Sequence, residues 1–152
     1  MIVPEETIFK PLDLAIERIV QRYDDLDMRA TGETAESLEA RATTNRGEIW
    51  GSKVFEYLSK GRPPSDRLPP VDAIYNWMLN KPSFTGSKTR SVAFAIAKTI
   101  QSEGTSWHKK GGSDVLVVVQ SDEMLREFQQ ILGEEIRILI SDQFIRDFKE
   151  VK

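Results

Sequence analysis

Residues 38–58, LEARATTNRGEIWGSKVFEYL, contain the stretch that separates this chain from an all-helical protein. The turn signal Thr44-Asn45-Arg46-Gly47 is flanked by residues that suit an extended backbone. The residues of this kind that follow the turn are Ile49, Trp50, Val54, Phe55 and Tyr57. The pattern predicts an antiparallel hairpin within residues 38–58.

An amphipathic helix is predicted upstream of the hairpin, over about 11–30. Proline is tolerated in the first turn of a helix, and Pro11 takes that place. Apolar residues then recur at spacings of three and four, with charged residues on the other face. The apolar positions are Leu12, Ile16, Ile19, Tyr23 and Leu26. A glycine and several possible cap residues in 30–38 predict a turn and leave open a short second element.

Downstream of the hairpin, residues 59–70 predict an irregular, stiff loop, because four prolines remove backbone donors and fix φ. Apolar residues at helical spacing then predict a short helix at about 71–80. A second helix is predicted with Ser87 as a candidate cap and Gly104 as its end. Its apolar positions are Val92, Ala93, Ile96, Ala97 and Ile100.

A strand candidate follows the second of these helices. Residues 105–114 predict a polar, glycine-containing loop, and the β-branched run Val115–Val119 predicts a buried strand. No internal repeat or linker divides the chain, and 152 residues fit one domain. We therefore expect a single α+β domain over 1–152, in which an N-terminal helix and a small antiparallel sheet are packed by two to three helices.

The C-terminal region, about 121–150, is predicted to be helical, with Ser121 or Asp122 as its cap. Apolar residues recur through the region, and Gly133 leaves open a strand at Glu135–Ser141. The apolar positions are Met124, Leu125, Phe128, Ile131, Leu132, Ile136, Leu139, Ile140, Phe144, Ile145 and Phe148.

The composition excludes several classes of function. The chain has no cysteine, which excludes disulfides, thiolate catalysis and Cys-based metal sites. No stretch approaches the roughly 18 apolar residues that a membrane span requires, and the N-terminus lacks the pattern of a signal peptide. The formal net charge is −3, so the overall balance does not favour a polyanion partner. We expect a cytoplasmic protein that does not cross a membrane.

The residues that carry chemistry in other proteins form no catalytic pattern here. His108 is the single histidine and has no second histidine or cysteine with which to hold a metal. Asp24, Asp25 and Asp27 lack the spacing of a calcium loop. Lys110-Gly111-Gly112-Ser113 lacks the phosphate-loop motif. We therefore predict no enzyme activity, no metal and no cofactor.

Basic residues in several loops form a local positive surface if the loops converge, and DNA is then the natural partner. Scattered, solvated side chains are the preferred interpretation. The residues are Lys60, Arg62, Arg67, Lys81, Lys88, Arg90, Lys109 and Lys110.

An ordered series of short motifs runs from Gly61 to Gly104. The motifs are Gly61-Arg62-Pro63-Pro64, Pro69-Pro70, Ile74-Tyr75-Asn76-Trp77-Met78-Leu79-Asn80-Lys81, Ala93-Phe94-Ala95-Ile96-Ala97-Lys98-Thr99-Ile100 and Glu103-Gly104-Thr105. This order resembles the neck and tail-completion (head-tail connector) family of tailed bacteriophages. The resemblance extends over about 10–108. It includes Thr31-Gly32 with Ser37, and it includes Phe55-Glu56-Tyr57, which the resemblance implies to be a strand. The family's segment after Gly-Thr bears a proline, which 106–110 lack.

The resemblance implies a structural virion protein that forms a ring homo-oligomer at the head–tail interface. It implies other neck, portal or tail proteins as partners, and DNA that passes through the lumen without sequence-specific binding. The implied location is the virion, and the host cytoplasm during assembly. The first alternative is a nucleic-acid-binding module that uses the basic loops. The second is a small hydrolase with an acidic or Ser/His site, for which the sequence offers no particular set of residues.

The interface is predicted at the proline loop, because a stiff segment loses little entropy when it docks. The predicted interface residues are Arg62, Pro63, Pro64, Arg67, Trp50 and Tyr57. Trp and Tyr often anchor interfaces, but Trp50 and Tyr57 suit the core of the hairpin equally well.

Overall fold

The computed structural model describes the backbone of residues 2–150 and, within it, the side chains of 2–143, 145 and 146. The fold is a small domain of helices with one two-stranded antiparallel sheet, which confirms the α+β prediction. The predicted apolar positions Phe144 and Phe148 lie outside the described side chains.

The first helix, α1, spans Glu5–Asp25, so it begins and ends earlier than the predicted 11–30. Two glutamates in its first turn suit the positive end of the helix dipole. Pro11 lies inside the helix and is buried there, rather than in the first turn. The chain leaves the helix through Asp27, whose φ of 53° is left-handed and prevents continuation.

A single helical turn, α2 (Glu33–Glu36), supplies the short element that the sequence left open. The hairpin follows, with β1 at Glu39–Thr43 and β2 at Arg46–Trp50. Thr43 pairs with Arg46, so the turn consists of Thr44 and Asn45 and lies within the predicted signal, while Arg46 and Gly47 belong to β2. One side of the hairpin packs on α1. The predicted hairpin was too long at its C-terminal end.

Residues 54–60 form a helix, α3 (Val54–Lys60), and not a strand. Phe55 is buried in it and its ring lies 6.0 Å from that of Tyr23 on α1. A helix satisfies its own backbone hydrogen bonds and places Phe55 against Tyr23 of α1. The strand that the family resemblance implies at Phe55-Glu56-Tyr57 is therefore wrong.

The two helices after the proline loop confirm their predictions. The first, α4, spans Val71–Asn80, and the second, α5, spans Arg90–Glu103 and ends at Gly104. Thr89 caps α5 in place of the predicted Ser87, because its hydroxyl accepts a hydrogen bond from a backbone N–H in the first turn. The two helices pack chiefly against each other.

The predicted polar loop 105–114 contains a short helix, α6 (Ser106–Lys109). The predicted strand Val115–Val119 is wrong, since Val117–Gln120 forms a 3₁₀ helix. The carbonyl of Asp114 accepts hydrogen bonds from the backbone of the next turn and bends the chain at once. Val115 is fully buried, so this apolar run fills the core without pairing in a sheet.

The last helix, α7, spans Asp122–Glu150 without a break, so the predicted helical region is confirmed and the alternative strand at 135–141 is wrong. Gly133 lies within the helix. The first part of α7 packs along α1. The main core lies where α1, α3 and the 115–119 segment meet, and its buried residues are Ile19, Tyr23, Met28, Ala35, Phe55 and Val115.

Candidate assembly interface

The two ends of the motif series meet at the base of the proline loop. The backbone N–H of Arg62 donates to the hydroxyl of Thr105 at 2.9 Å. The N–H of Thr105 donates back to the carbonyl of Arg62, also at 2.9 Å. Gly61-Arg62 and Gly104-Thr105 are therefore one structural unit, although 43 residues separate the bonded pair in sequence.

Both glycines at this base adopt backbone angles that only glycine adopts readily. Gly61 has φ 75° and ψ 168°, and Gly104 has φ 81° and ψ −179°. A Cβ on Gly61 would lie 2.1 Å from the backbone nitrogen of His108, and one on Gly104 would lie 2.7 Å from the carbonyl oxygen of Arg62. Two chain segments approach here because neither glycine carries a side chain.

The body of the loop is held by further hydrogen bonds. Ser65 donates its N–H to the carbonyl of Gln101 at 3.0 Å. The Gln101 side-chain amide donates to the carbonyl of Asp66 at 2.8 Å. The Arg62 guanidinium donates to the carbonyl of Arg67 at 3.2 Å. The loop is therefore hydrogen-bonded to the C-terminal end of α5 and within itself, and residues 61–70 form neither helix nor strand, as predicted.

Four of the six predicted interface residues lie together in this loop. Pro63, Pro64 and Arg67 are exposed, and Arg62 is half-buried because its guanidinium folds over the loop. Prolines and a fixed arginine present a rigid surface at small entropic cost. The geometry suits a docking surface, and the contact with a partner stays a prediction.

The other two predicted residues, Trp50 and Tyr57, are each 51% exposed, so neither belongs to the core. Trp50 is held on the outer face of the hairpin, where the Arg41 guanidinium lies 4.5 Å from its ring centre. Its indole N–H donates to Glu48 at 2.9 Å, and that bond is the main cause that lowers the pKa of Glu48. Tyr57 lies on α3, one turn before the loop.

A buried lysine that sequence reasoning placed among the surface cations joins α4 to the end of α1. Lys81 is 6% exposed, and its ammonium donates to the carbonyls of Asp27 and Arg29 and pairs with the Asp27 carboxylate at 3.2 Å. Hydrogen bonds from Ser83 and then Lys81 hold the pKa of Asp27 below its ordinary value. The predicted basic surface therefore lacks Lys81, and no local sequence signal distinguishes this lysine.

A second cross-link ties the segment after α6 to α1. The Arg22 guanidinium binds Asp114 through two hydrogen bonds of 2.8 and 3.0 Å. The hydrogen bond lowers the pKa of Asp114 and raises that of Arg22. The sequence predicted charged residues on the outer face of this helix, Arg22 among them, and gave no signal for this pair.

The basic loops converge only in part. The base of the proline loop brings Lys60 and Arg62 beside α6, which carries Lys109. Acidic partners accompany these cations, since Lys60 pairs with Glu56 at 3.7 Å and Lys109 pairs with Glu103. The positive surface at this place is small because nearby carboxylates neutralise much of it.

His108 is exposed on α6. Within the described side chains, no cluster of histidines and carboxylates could hold a metal ion.

No protein family, curated protein or solved structure matches this chain. None of the helices in residues 2–150 combines the length and apolar character of a membrane span.

Proposed function

We propose that this chain is a structural subunit of a tailed-bacteriophage virion, which forms a ring that joins or completes the head–tail interface. The observation that carries the proposal is the exposed proline loop of residues 59–70, which is held in place by hydrogen bonds to α5 and to Thr105. A surface that is rigid in the free subunit docks at small entropic cost. Such a role requires shape and no catalytic group.

The motif series supports the same proposal. The motifs resemble those of the neck and tail-completion family, and their two ends form one hydrogen-bonded unit. A ring subunit needs two unlike surfaces that close head to tail. Its partners would be copies of itself and other neck, portal or tail proteins, in the virion and during assembly in the host cytoplasm. DNA would pass through the lumen without sequence-specific contacts.

The test is the mass of the purified chain by light scattering after size exclusion, over a concentration series. We expect a closed oligomer, and we expect Arg62→Glu with Arg67→Glu to reduce it to the monomer. The matched control is Lys53→Glu with Arg126→Glu, which reverses two exposed charges outside the loop. A monomer for the unmodified chain at all concentrations contradicts the proposal, and equal masses for the two double variants contradict the loop interface.

A nucleic-acid-binding module is the second candidate, favoured by the approach of Lys60 and Arg62 to α6. This function predicts DNA binding that weakens steeply with salt, because each neutralised phosphate releases counterions. Fluorescence anisotropy with a labelled duplex at low and physiological salt measures it. Because Glu56 and Glu103 pair with two of the cations, we expect no binding at physiological salt, and tight binding there would favour this candidate over the ring.

A further inference from the structure

Both edges of the two-stranded sheet are open. Thr43 and Arg46 pair across the turn, so they form the first hydrogen-bonded pair of the hairpin. In an antiparallel ladder such pairs alternate with pairs whose N–H and C=O groups point away from the partner strand. The outward-pointing residues are Ala40 and Ala42 at the β1 edge, and Gly47 and Ile49 at the β2 edge. In the described part of the chain, no group outside the hairpin bonds to the backbone of these four residues.

The two faces of the hairpin differ. The inner face packs on α1, where a Cβ on Gly47 would lie 2.7 Å from the side chain of Ile8. The outer face is polar and charged. Its residues are Glu39, Arg41 and Thr43 on β1, and Arg46, Glu48 and Trp50 on β2. Free backbone groups at a sheet edge accept a further strand, and the side chains beside them decide which strand fits.

Pairing between two like edges brings like charges together. If two β1 edges meet in full overlap, Ala40 of each copy lies opposite Ala42 of the other, and Arg41 then lies opposite Arg41. If two β2 edges meet in the same way, Glu48 lies opposite Glu48. Like charges directly opposite each other destabilise a strand pair. The charges on the outer face therefore disfavour both two-fold arrangements.

Pairing between unlike edges brings opposite charges together. When the β2 edge of one copy meets the β1 edge of the next in full overlap, Glu48 lies opposite Arg41 of the next copy. Each Glu48 then has an Arg41 on both sides, one in its own hairpin and one in the neighbour. Opposite charges favour this arrangement. The other outer pairs, Arg46 with Thr43 and Trp50 with Glu39, contain no like charges.

The layer of helices permits the same repeat. Two strands occupy about 9.6 Å across a sheet, and a helix is about 10 Å wide. Because α1 packs on both strands, each hairpin carries one helix of nearly its own width. Curvature with the helices on the outside of a ring gives neighbouring helices further room. Repeated addition of β1 to β2 also keeps every strand antiparallel to its neighbours and closes head to tail.

We propose that the β2 edge of one subunit pairs with the β1 edge of the next copy, so that one antiparallel sheet continues from subunit to subunit. The inference rests on the ring-forming function proposed above and names surfaces that close the ring. Each contact adds about four backbone hydrogen bonds, because two pairs of residues exchange two bonds each. The two open edges of the free subunit are thereby covered by other copies.

Disulfide formation tests the register, because the chain has no cysteine of its own. Across the proposed junction, outer-face pairs have Cα atoms about 4.5 Å apart, which is within the range of a disulfide. Thr43→Cys and Arg46→Cys variants are purified, mixed and mildly oxidised. We expect a covalent dimer in the mixture and none in either variant alone. The control is Glu39→Cys mixed with Arg46→Cys, which should give none, because Glu39 lies on the same strand and face but about 13 Å from Thr43.

Two results of this experiment overturn the inference. A disulfide dimer of an Arg41→Cys variant alone would show two-fold pairing of β1 edges. Absence of the mixed dimer, in a sample that light scattering shows to be oligomeric, would rule out the β2-to-β1 contact and leave the ring standing. A monomeric unmodified chain overturns both the ring and the strand pairing.

Exchange of the two charges tests the same contact without a cross-link. Arg41→Glu and Glu48→Arg variants each place like charges across the junction, so each should assemble about tenfold more weakly in light scattering. An equimolar mixture should recover assembly, because each variant then meets opposite charges on its neighbours. Mixing cannot repair the pair within a hairpin, so recovery arises between copies. Variants that assemble like the unmodified chain, or a mixture that does not recover, would overturn the proposed register.

Discussion

Replacing Lys81 by methionine removes the ammonium that joins the end of α4 to the turn after α1. Methionine keeps the length and apolar stem of the side chain, so packing changes little. The carbonyls of Asp27 and Arg29 lose their donor, and the Asp27 carboxylate loses its ion pair. The perturbation therefore isolates the polar link between the two parts of the domain.

The expected loss of stability follows from these three interactions. A hydrogen bond to a charged group contributes about 1.5–3 kcal/mol, and a buried carbonyl left without a partner costs about 1–3 kcal/mol. The Asp27 side chain is 66% exposed, so water replaces its lost partner at little cost. Together these terms predict a loss of about 3 kcal/mol, which lowers the thermal midpoint of a domain of this size by about 6–12 °C.

The assay is thermal unfolding by circular dichroism, together with hydrogen exchange of the α4 amides. The control is Lys88→Met, which removes an exposed cation from the segment between α4 and α5. We expect Lys81→Met to lower the midpoint and to speed exchange in α4, while Lys88→Met changes neither. Equal midpoints for the two variants would refute the assignment of Lys81 as the link between α4 and α1.

Three further changes test other parts of the fold. Gly61→Ala should lower the free energy of unfolding in urea by about 3 kcal/mol or more, because the new methyl group would collide with the backbone at His108 and an alanine is strained at this φ. A loss below about 1 kcal/mol would contradict the close approach of the two segments. Phe55→Ala should cost about 3–5 kcal/mol in the same assay, because it empties a buried site beside Tyr23. The lowered pKa of Asp114 means that its pair with Arg22 stabilises the fold above the unfolded pKa, and that this stabilisation is lost as pH falls through the folded pKa. The Asp114→Asn variant should therefore be less stable than the unmodified chain at pH 7, and it should lose less stability when the pH falls below about 4. If the stability of the two proteins falls in parallel with pH, the pair does not stabilise the fold.

The sequence correctly predicted the elements whose formation depends on neighbouring residues in the chain. The turn at Asn45, the helix over 71–80 and the end of α5 at Gly104 follow from turn residues, helical spacing and a glycine stop. The stiffness of the proline loop also follows from its prolines. These features need no knowledge of what the segments pack against.

The errors occur where a distant partner decides the outcome. A β-branched run such as Val115–Val119 becomes a strand only where a sheet edge receives it, and here the carbonyl of Asp114 bends it into a turn. The segment 54–60 carries residues that suit either state, and burial of Phe55 against α1 selects the helix. Propensity is a weak guide when tertiary packing competes with it.

The candidate site shows the same division. Its loop residues were predicted from composition, and the exposure of Pro63, Pro64 and Arg67 agrees with an interface. The burial of Lys81 was not predicted, because its acceptors are carbonyls more than 50 residues away in sequence. The register of α7 against α1 is set by two ion pairs, which the spacing of residues in the sequence does not reveal.

The most direct test of the ring assembly is the mass of the intact oligomer by native mass spectrometry, with negative-stain images of the same sample. We predict one dominant closed oligomer, seen as rings with a central lumen. A monomer, or a dimer that stays a dimer as concentration rises, would contradict head-to-tail closure and with it the proposed role at the head–tail interface.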